Sequence, residues 1–293
     1  MNKVYISHKL REVEEYEKGI DRRLKKLGKY IERRIRKFKV MDFMPRGKVV
    51  DFGTGIGPDL ISLFRLCDEI ELVGVDISSK ALKKAKELMS EEGKDFHLVR
   101  ADVLYPPFRD NVFDAVNFSN VLHHHPLSLL KRIMVEVNRI SKKNSSILVS
   151  EPSDPNEPYE FSWEINRIWH GVKDLEKLSS IYNLKDLRRI GYDLHVLGYY
   201  GYIYPSILKR LLERHGFKIT KMKFVSESLR IDEIIEELKK KVKSLSLDES
   251  IKDYLIDRLL DIKRKYALIS PLYNFQLYIK AVRGNPLSFT DNF

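Results

Sequence analysis

Cysteine is almost absent: Cys67 is the only one among 293 residues. A single thiol excludes both an intrachain disulfide and a cysteine metal cluster. Glutamine is equally scarce, with Gln276 alone, while Lys, Arg and Glu abound. That balance suggests a thermophilic source. Long apolar runs are missing, since nothing approaches the roughly 18 residues a membrane span needs, and the basic N-terminus lacks the apolar core of a signal peptide. The expected location is therefore cytoplasmic. Low-complexity tracts and clear internal repeats are lacking too. What remains, 43% apolar and 32% charged residues, describes a globular protein with one large core plus appendages.

The formal net charge is +11, and most of the excess sits at one end. Residues 1–48 hold 16 basic and 7 acidic side chains. From Ile20 to Phe38, Ile20, Leu24, Leu27, Ile31, Ile35 and Phe38 follow helical spacing, and Arg22, Arg23, Lys25, Lys26, Lys29, Arg33, Arg34, Arg36 and Lys37 fill the rest. The spacing predicts one amphipathic helix with a basic outer face, the core of a basic helical segment over 1–45. Such a face docks RNA or, less readily, an anionic membrane surface, or is simply solvated where the helix caps the main domain.

The stretch VVDFGTGIGPD, Val49 to Asp59, organises the chain. A short apolar strand meets a turn in which Gly53, Gly55 and Gly57 alternate with Thr54 and Ile56. A glycine turn lets backbone N–H groups approach a ligand closely, and the helix starting near Pro58 aims its free donors at the same spot. The dinucleotide fingerprint needs a third glycine where this chain has Pro58, and a phosphate-loop lysine is absent. The next strand, Glu71 to Val75, ends at Asp76, where a carboxylate accepting ribose hydroxyls should stand.

Beyond it, Ser78 or Ser79 caps a helix ended by Gly93, and Phe96 to Arg100 is a third strand followed by Ala101, Asp102 and Val103. A fourth strand, Phe113 to Phe118, leads into Ser119-Asn120-Val121-Leu122-His123-His124-His125. A helix over about Leu127 to Ile140 and a fifth strand, Ser146 to Ser150, complete five alternating units, which call for a parallel sheet with helices on both faces.

D-x-G-x-G-x-G closed by an acid at the second strand resembles the class I S-adenosylmethionine-dependent methyltransferases, and FDAV followed by S-N-V-L-H-H looks like the fourth motif of their small-molecule group. The resemblance implies S-adenosylmethionine as cofactor. It puts Asp51, Gly53, Thr54, Gly55 and Gly57 at the methionine portion, Asp76 with Ile77 at the ribose, Asp102 with Val103 at the adenine, and Asn120 near the amino group. It also implies an α/β fold: a doubly wound, seven-stranded, mostly parallel sheet ending in an antiparallel hairpin. N-P-P-Y after strand four, frequent in enzymes that methylate exocyclic or amide nitrogens, is absent, and Cys67 sits too early to serve as a pyrimidine-methylating nucleophile.

Adjacent histidines point about 100° apart on a helix and to opposite faces on a strand, so one ion could not easily take all three, and no metal is expected. As general base, His124 ranks first, then His123 and Glu151, all at strand ends facing the acceptor. The methyltransferase domain is expected over 46–153 and 205–284. About 50 residues, 154–204, separate strand five from the helix at Pro205 and hold ten aromatics, among them Trp163, Trp169, Tyr199 and Tyr200. They form either a lid over the acceptor pocket or a small satellite core. Two helices over 228–270 interrupt the final hairpin, whose strands are Phe217 to Val225 and Asn274 to Val282. They pair with each other and the N-terminal helix, or form a dimer face. A small-molecule methyltransferase is the expected function; an RNA methyltransferase docking through the basic helix and a non-catalytic cofactor-binding regulator are the alternatives.

Overall fold

A computed structural model of the chain describes residues 9–10, 13–14, 16–93, 96–153, 203–229, 231–266 and 272–284. Seven strands form one sheet in the order β3-β2-β1-β4-β5-β7-β6. They are β1 (Gly47–Phe52), β2 (Ile70–Asp76), β3 (Phe96–Arg100), β4 (Phe113–Ser119), β5 (Ser141–Pro152), β6 (Phe217–Leu229) and β7 (Leu272–Arg283). The first five run parallel, and β7 lies antiparallel between β5 and β6. This is the expected doubly wound sheet with its closing hairpin.

Alternation along each strand divides the core between the two faces. Val49 and Leu72 point to the face covered by α2 (Leu27–Val40), α3 (Pro58–Leu66) and α4 (Ser79–Ser90), where Ile31, Phe38, Leu60, Phe64 and Met89 are buried with them. Val50, Phe52, Val73 and Val75 point the other way, against α5 (Leu127–Ile140) and α6 (Pro205–Arg214) through Ile133, Met134, Leu208 and Leu212. A strand buried on both faces reads as a continuous apolar run, as in Val49-Val50.

The basic helix is not continuous. It breaks at Lys25 and Lys26 between α1 (Ile20–Leu24) and α2. The two pieces answer to different cores: Ile20 packs with Ile56 and Ala81 over the glycine turn, whereas Ile31 and Phe38 join the core under α3. Nor is the basic face wholly solvated. Lys37 is fully buried and Arg34 largely so, because both turn inward to the carboxylate of Asp59 on α3.

The helices α7 (Ile231–Lys243) and α8 (Glu249–Tyr266) pair with each other through Ile235, Leu238, Val242, Ile251, Leu255 and Leu259, in a core of their own. The aromatic segment expected as a lid lies outside the described residues up to 202. Its flanks meet, since Ser153 Oγ donates to the Ile203 carbonyl at 2.6 Å. Among the described residues no helix is long and apolar enough to cross a membrane.

Candidate functional site

A cavity of about 530 Å³ opens at the carboxyl ends of β1, β2 and β4, where open α/β sheets bind ligands. Its floor is made by Phe52, Gly53, Asp76, Ile77, Asp102 and Val103. Asn120, Val121, His124 and His125 form one wall.

The turn after β1 is pinned from below. Gly53 and Thr54 both donate their N–H to the Val75 carbonyl, at 2.8 and 3.1 Å. Gly53 has φ +69, and a Cβ there would collide with the Val121 side chain. Gly55, φ +56, leaves no space beneath the Tyr16 hydroxyl, which accepts the Ile56 N–H at 3.2 Å. Here glycine is required by both backbone angle and crowding. Gly57 (φ +87) begins α3.

Asp76 closes β2 and accepts the N–H groups of Gly55 and Ser78, each at 2.8 Å. The carboxylate keeps acceptor capacity beyond these bonds that a ribose hydroxyl can use. Burial raises the Asp76 pKa, against the lowering effect of those N–H bonds. Ser78 caps α4 by accepting the Ala81 N–H at 3.0 Å. Asp102 Oδ1 takes the Leu104 N–H at 3.0 Å, and its Oδ2 pairs with Lys9 Nζ at 2.5 Å. Asn120 sits in the left-handed region at φ +59, its Oδ1 bonded by Gln276 Nε2 at 2.9 Å.

The histidine run divides into distinct roles. His124 and His125 reach the cavity, whereas His123 stands behind, its ring centroid 4.0 Å from that of His124. Burial, followed by the charge of Lys9, pushes His125 down to about 3, so it stays neutral. Glu151 does not line the cavity. Its buried carboxylate accepts the N–H groups of Val121 and Leu122, at 2.9 and 2.8 Å, and contacts His123 Nδ1 at 2.6 Å. A carboxylate so engaged holds the His123 turn in place.

Asp51 also lies off the cavity. It is buried beneath the turn, its Oδ1 bonded by Asn117 Nδ2 at 2.7 Å. Burial and then the neighbouring charge of Asp59 raise its pKa. Asp59 itself is held below the carboxylate range because Lys37 and Arg34 outweigh the cost of burial. Lys37 Nζ stands 2.5 Å from Asp59 Oδ1 and 2.5 Å from Ser119 Oγ; Arg34 Nε is 2.9 Å from Asp59 Oδ2.

Several site residues are invisible to sequence reading. Above the floor lie Lys9, Val13 and Tyr16, then Arg22 and Arg23 of α1, and Glu237 and Lys241 of α7. The buried ion pair beneath the turn did leave a signal: Arg34 falls three residues after Ile31 and four before Phe38, on the buried stripe. A cation on an apolar stripe demands a buried acid.

Residues 49–144 match a family model described as a methyltransferase domain. The chain is 28% identical over 109 residues to the ubiquinone/menaquinone biosynthesis C-methyltransferase UbiE of Desulfotalea psychrophila, and 30% identical over 109 residues to the demethylmenaquinone methyltransferase of Thermotoga maritima. Each match covers 37% of this chain, and 43% and 45% of those relatives, so the chain aligns with less than half of their length. The solved structure of the YcgJ protein from Bacillus subtilis superposes with a TM-score of 0.58 at 15% identity, covering 88% of this chain and 99% of that one, which shows a common fold. The crowded glycine turn, the acceptor capacity of Asp76 and the cavity at the strand ends fit a nucleoside-bearing ligand such as S-adenosylmethionine.

Proposed function

We propose that the chain, a class I S-adenosylmethionine-dependent methyltransferase by its domain and fold, transfers the methyl group to an O, N or C atom of a small-molecule acceptor. The observation that carries this reading is the juxtaposition, in one cavity, of Asp76 and Asp102 on the floor with His124 on the wall. The bound cofactor supplies a methyl already activated by its sulfonium. The protein's share of the work is therefore alignment, plus a base where the acceptor atom holds a proton.

In this reading Asp76 accepts the ribose hydroxyls, Ile77 and Val103 flank the adenosine, and Asp102 receives the adenine amine. Gly53 and Asn120 border the methionine end. Thr54, Gly55 and Gly57 shape the turn, and Asp51 anchors it from beneath. His124 takes the acceptor proton, with His123 and Glu151 as the support that holds its segment. The curated relatives named for quinone methylation favour an acceptor of small-molecule size over RNA, and the ten aromatics in the sequence 154–204 suit a cover for such an acceptor.

Incubating the purified protein with radiolabelled S-adenosylmethionine and fractionated extract tests the reading, with Asp76→Ala as control. Label is expected in a low-molecular-weight fraction. Label confined to an RNase-sensitive fraction overturns the small-molecule assignment, and no label in any fraction favours a non-catalytic, cofactor-binding regulator.

A further inference from the structure

Three points around the cofactor cavity converge on one ammonium group. Asp51 lies at the turn-facing end of β1, two residues before Gly53, Asp59 rides on the exit of the glycine turn as the second residue of α3, and Ser119 ends β4 immediately before Asn120, which lines the cavity. Lys37 Nζ touches Asp59 and Ser119 directly, at 2.5 Å each. It reaches Asp51 through Asn117, whose Nδ2 lies 2.7 Å from Asp51 Oδ1 and 3.3 Å from Asp59 Oδ1. Ser119 Oγ closes the ring by donating to Asp59 Oδ1 at 3.0 Å. Arg34 holds the other oxygen of Asp59.

Lys37 and Arg34 face the Asp59 carboxylate directly, and Lys37 faces Asp51 through Asn117. Ion networks of this kind seldom add net stability over apolar packing of the same volume, because both partners must be stripped of water. What they add is direction. Each bond here is charged or joins a charged group, and such bonds are shorter and more orientation-specific than apolar contacts. Lys37, Asp59, Asn117 and Ser119 themselves do not border the cavity, so they act on it through the turn and through Asn120.

We infer that Lys37 is a positioning residue for S-adenosylmethionine: through Asp59 and Ser119 it fixes the glycine turn against the end of β4, making helix α2 a working part of the cofactor site. The inference rests on the reading of the cavity as the S-adenosylmethionine site. It assigns the basic helix an internal task, distinct from its solvated face. The chain folds its own N-terminal segment under the turn, and the spacing between turn and Asn120 follows from where that segment docks.

The test measures S-adenosylhomocysteine affinity by calorimetry, and melting temperature, for the full chain and two variants. Lys37→Met/Asp59→Asn removes one charge of each sign, so the net charge of the network is unchanged while the joint is lost. Ser119→Ala leaves every charge in place and cuts only the link to β4. The expected result is binding at least about tenfold weaker in the double variant at temperatures where it is folded, with a smaller loss in Ser119→Ala. The KM for S-adenosylmethionine rises in parallel, and kcat at saturation changes less. Wild-type affinity in a folded double variant overturns the inference and leaves Lys37 a structural strut. If the double variant does not fold, Ser119→Ala decides alone: unchanged affinity and KM overturn it. A wild-type chain that binds no S-adenosylhomocysteine refutes the cofactor reading itself, an outcome distinct from the others.

Discussion

Glu151 Oε2 stands 2.6 Å from Nδ1 of His123, while Oε1 takes the N–H groups of Val121 and Leu122. One buried carboxylate thus ties the backbone of the turn and the His123 ring together. The same acid thereby fixes the start of the 3-10 turn Leu122–His124 and the orientation of the His123 ring. Glu151 and His123 lie 28 residues apart and meet because β4 and β5 are parallel neighbours.

Removing the proposed base separates chemistry from binding. His124→Ala should lower kcat by about 100-fold or more, the usual worth of a positioned general base, with S-adenosylhomocysteine affinity unchanged. Glu151→Gln should lower kcat less, since the turn is loosened but His124 remains. A greater loss in Glu151→Gln than in His124→Ala, measured by steady-state kinetics, would transfer the role of base to His123.

Asp51 should make the fold less stable as pH rises. Its folded pKa is pushed up from an ordinary 3.8 to about 7, so the folded state holds a proton the unfolded chain has released. That stabilising contribution is complete below the unfolded value and disappears as pH climbs through the folded one. Thermal melts across this window should show wild type losing ground to Asp51→Asn with increasing pH. Parallel curves for the two proteins would contradict the assignment.

Lys9 and the adenine amine compete for Asp102 if the cavity is the cofactor site. The ion pair is partly exposed, 17% and 22% at the two side chains, and pairs of that kind are worth at most about 1 kcal/mol. Lys9→Ala should therefore bind S-adenosylhomocysteine up to about fivefold more tightly, while Asp102→Asn binds it more weakly. Weaker binding by Lys9→Ala, in a titration of both variants, would mean that Lys9 supports the ligand.

Reversal of the exposed cations Lys25, Lys26, Lys29 and Arg36 to Glu should leave methylation of a low-molecular-weight acceptor intact at all salt concentrations. A docking face for RNA would show the opposite: lost activity and steep salt dependence. Arg34 is unsuitable for such a test, because its reversal would set a second acid against buried Asp59 and unfold the joint.

The parts legible in the sequence were those specified by near neighbours. Period-two runs bounded by turn residues marked the strands, and Asp76 stands 21 residues after Gly55 with only one helix between them, so the glycine turn and its acid could be read together. The closing hairpin was legible in NFQLYIKAV because alternation survives the intervening helices. Lys37 was misread as surface for the opposite reason. Its partners Asp59 and Ser119 lie 22 and 82 residues away, and helical periodicity reports a face without saying what the face meets. Gln276, the only glutamine, gives no local sign that it holds Asn120 from 156 residues away.

Composition and pattern alone determined the class of fold, the glycine turn and the order of its acids, because backbone geometry and alternate burial act over a few residues. The tertiary structure decided which charges are buried, which of the three histidines face the cavity and which of the described segments cover it. Those depend on desolvation and on contacts between distant elements, and a charge becomes internal only when docking of the whole helix brings its counter-charge within hydrogen-bond reach.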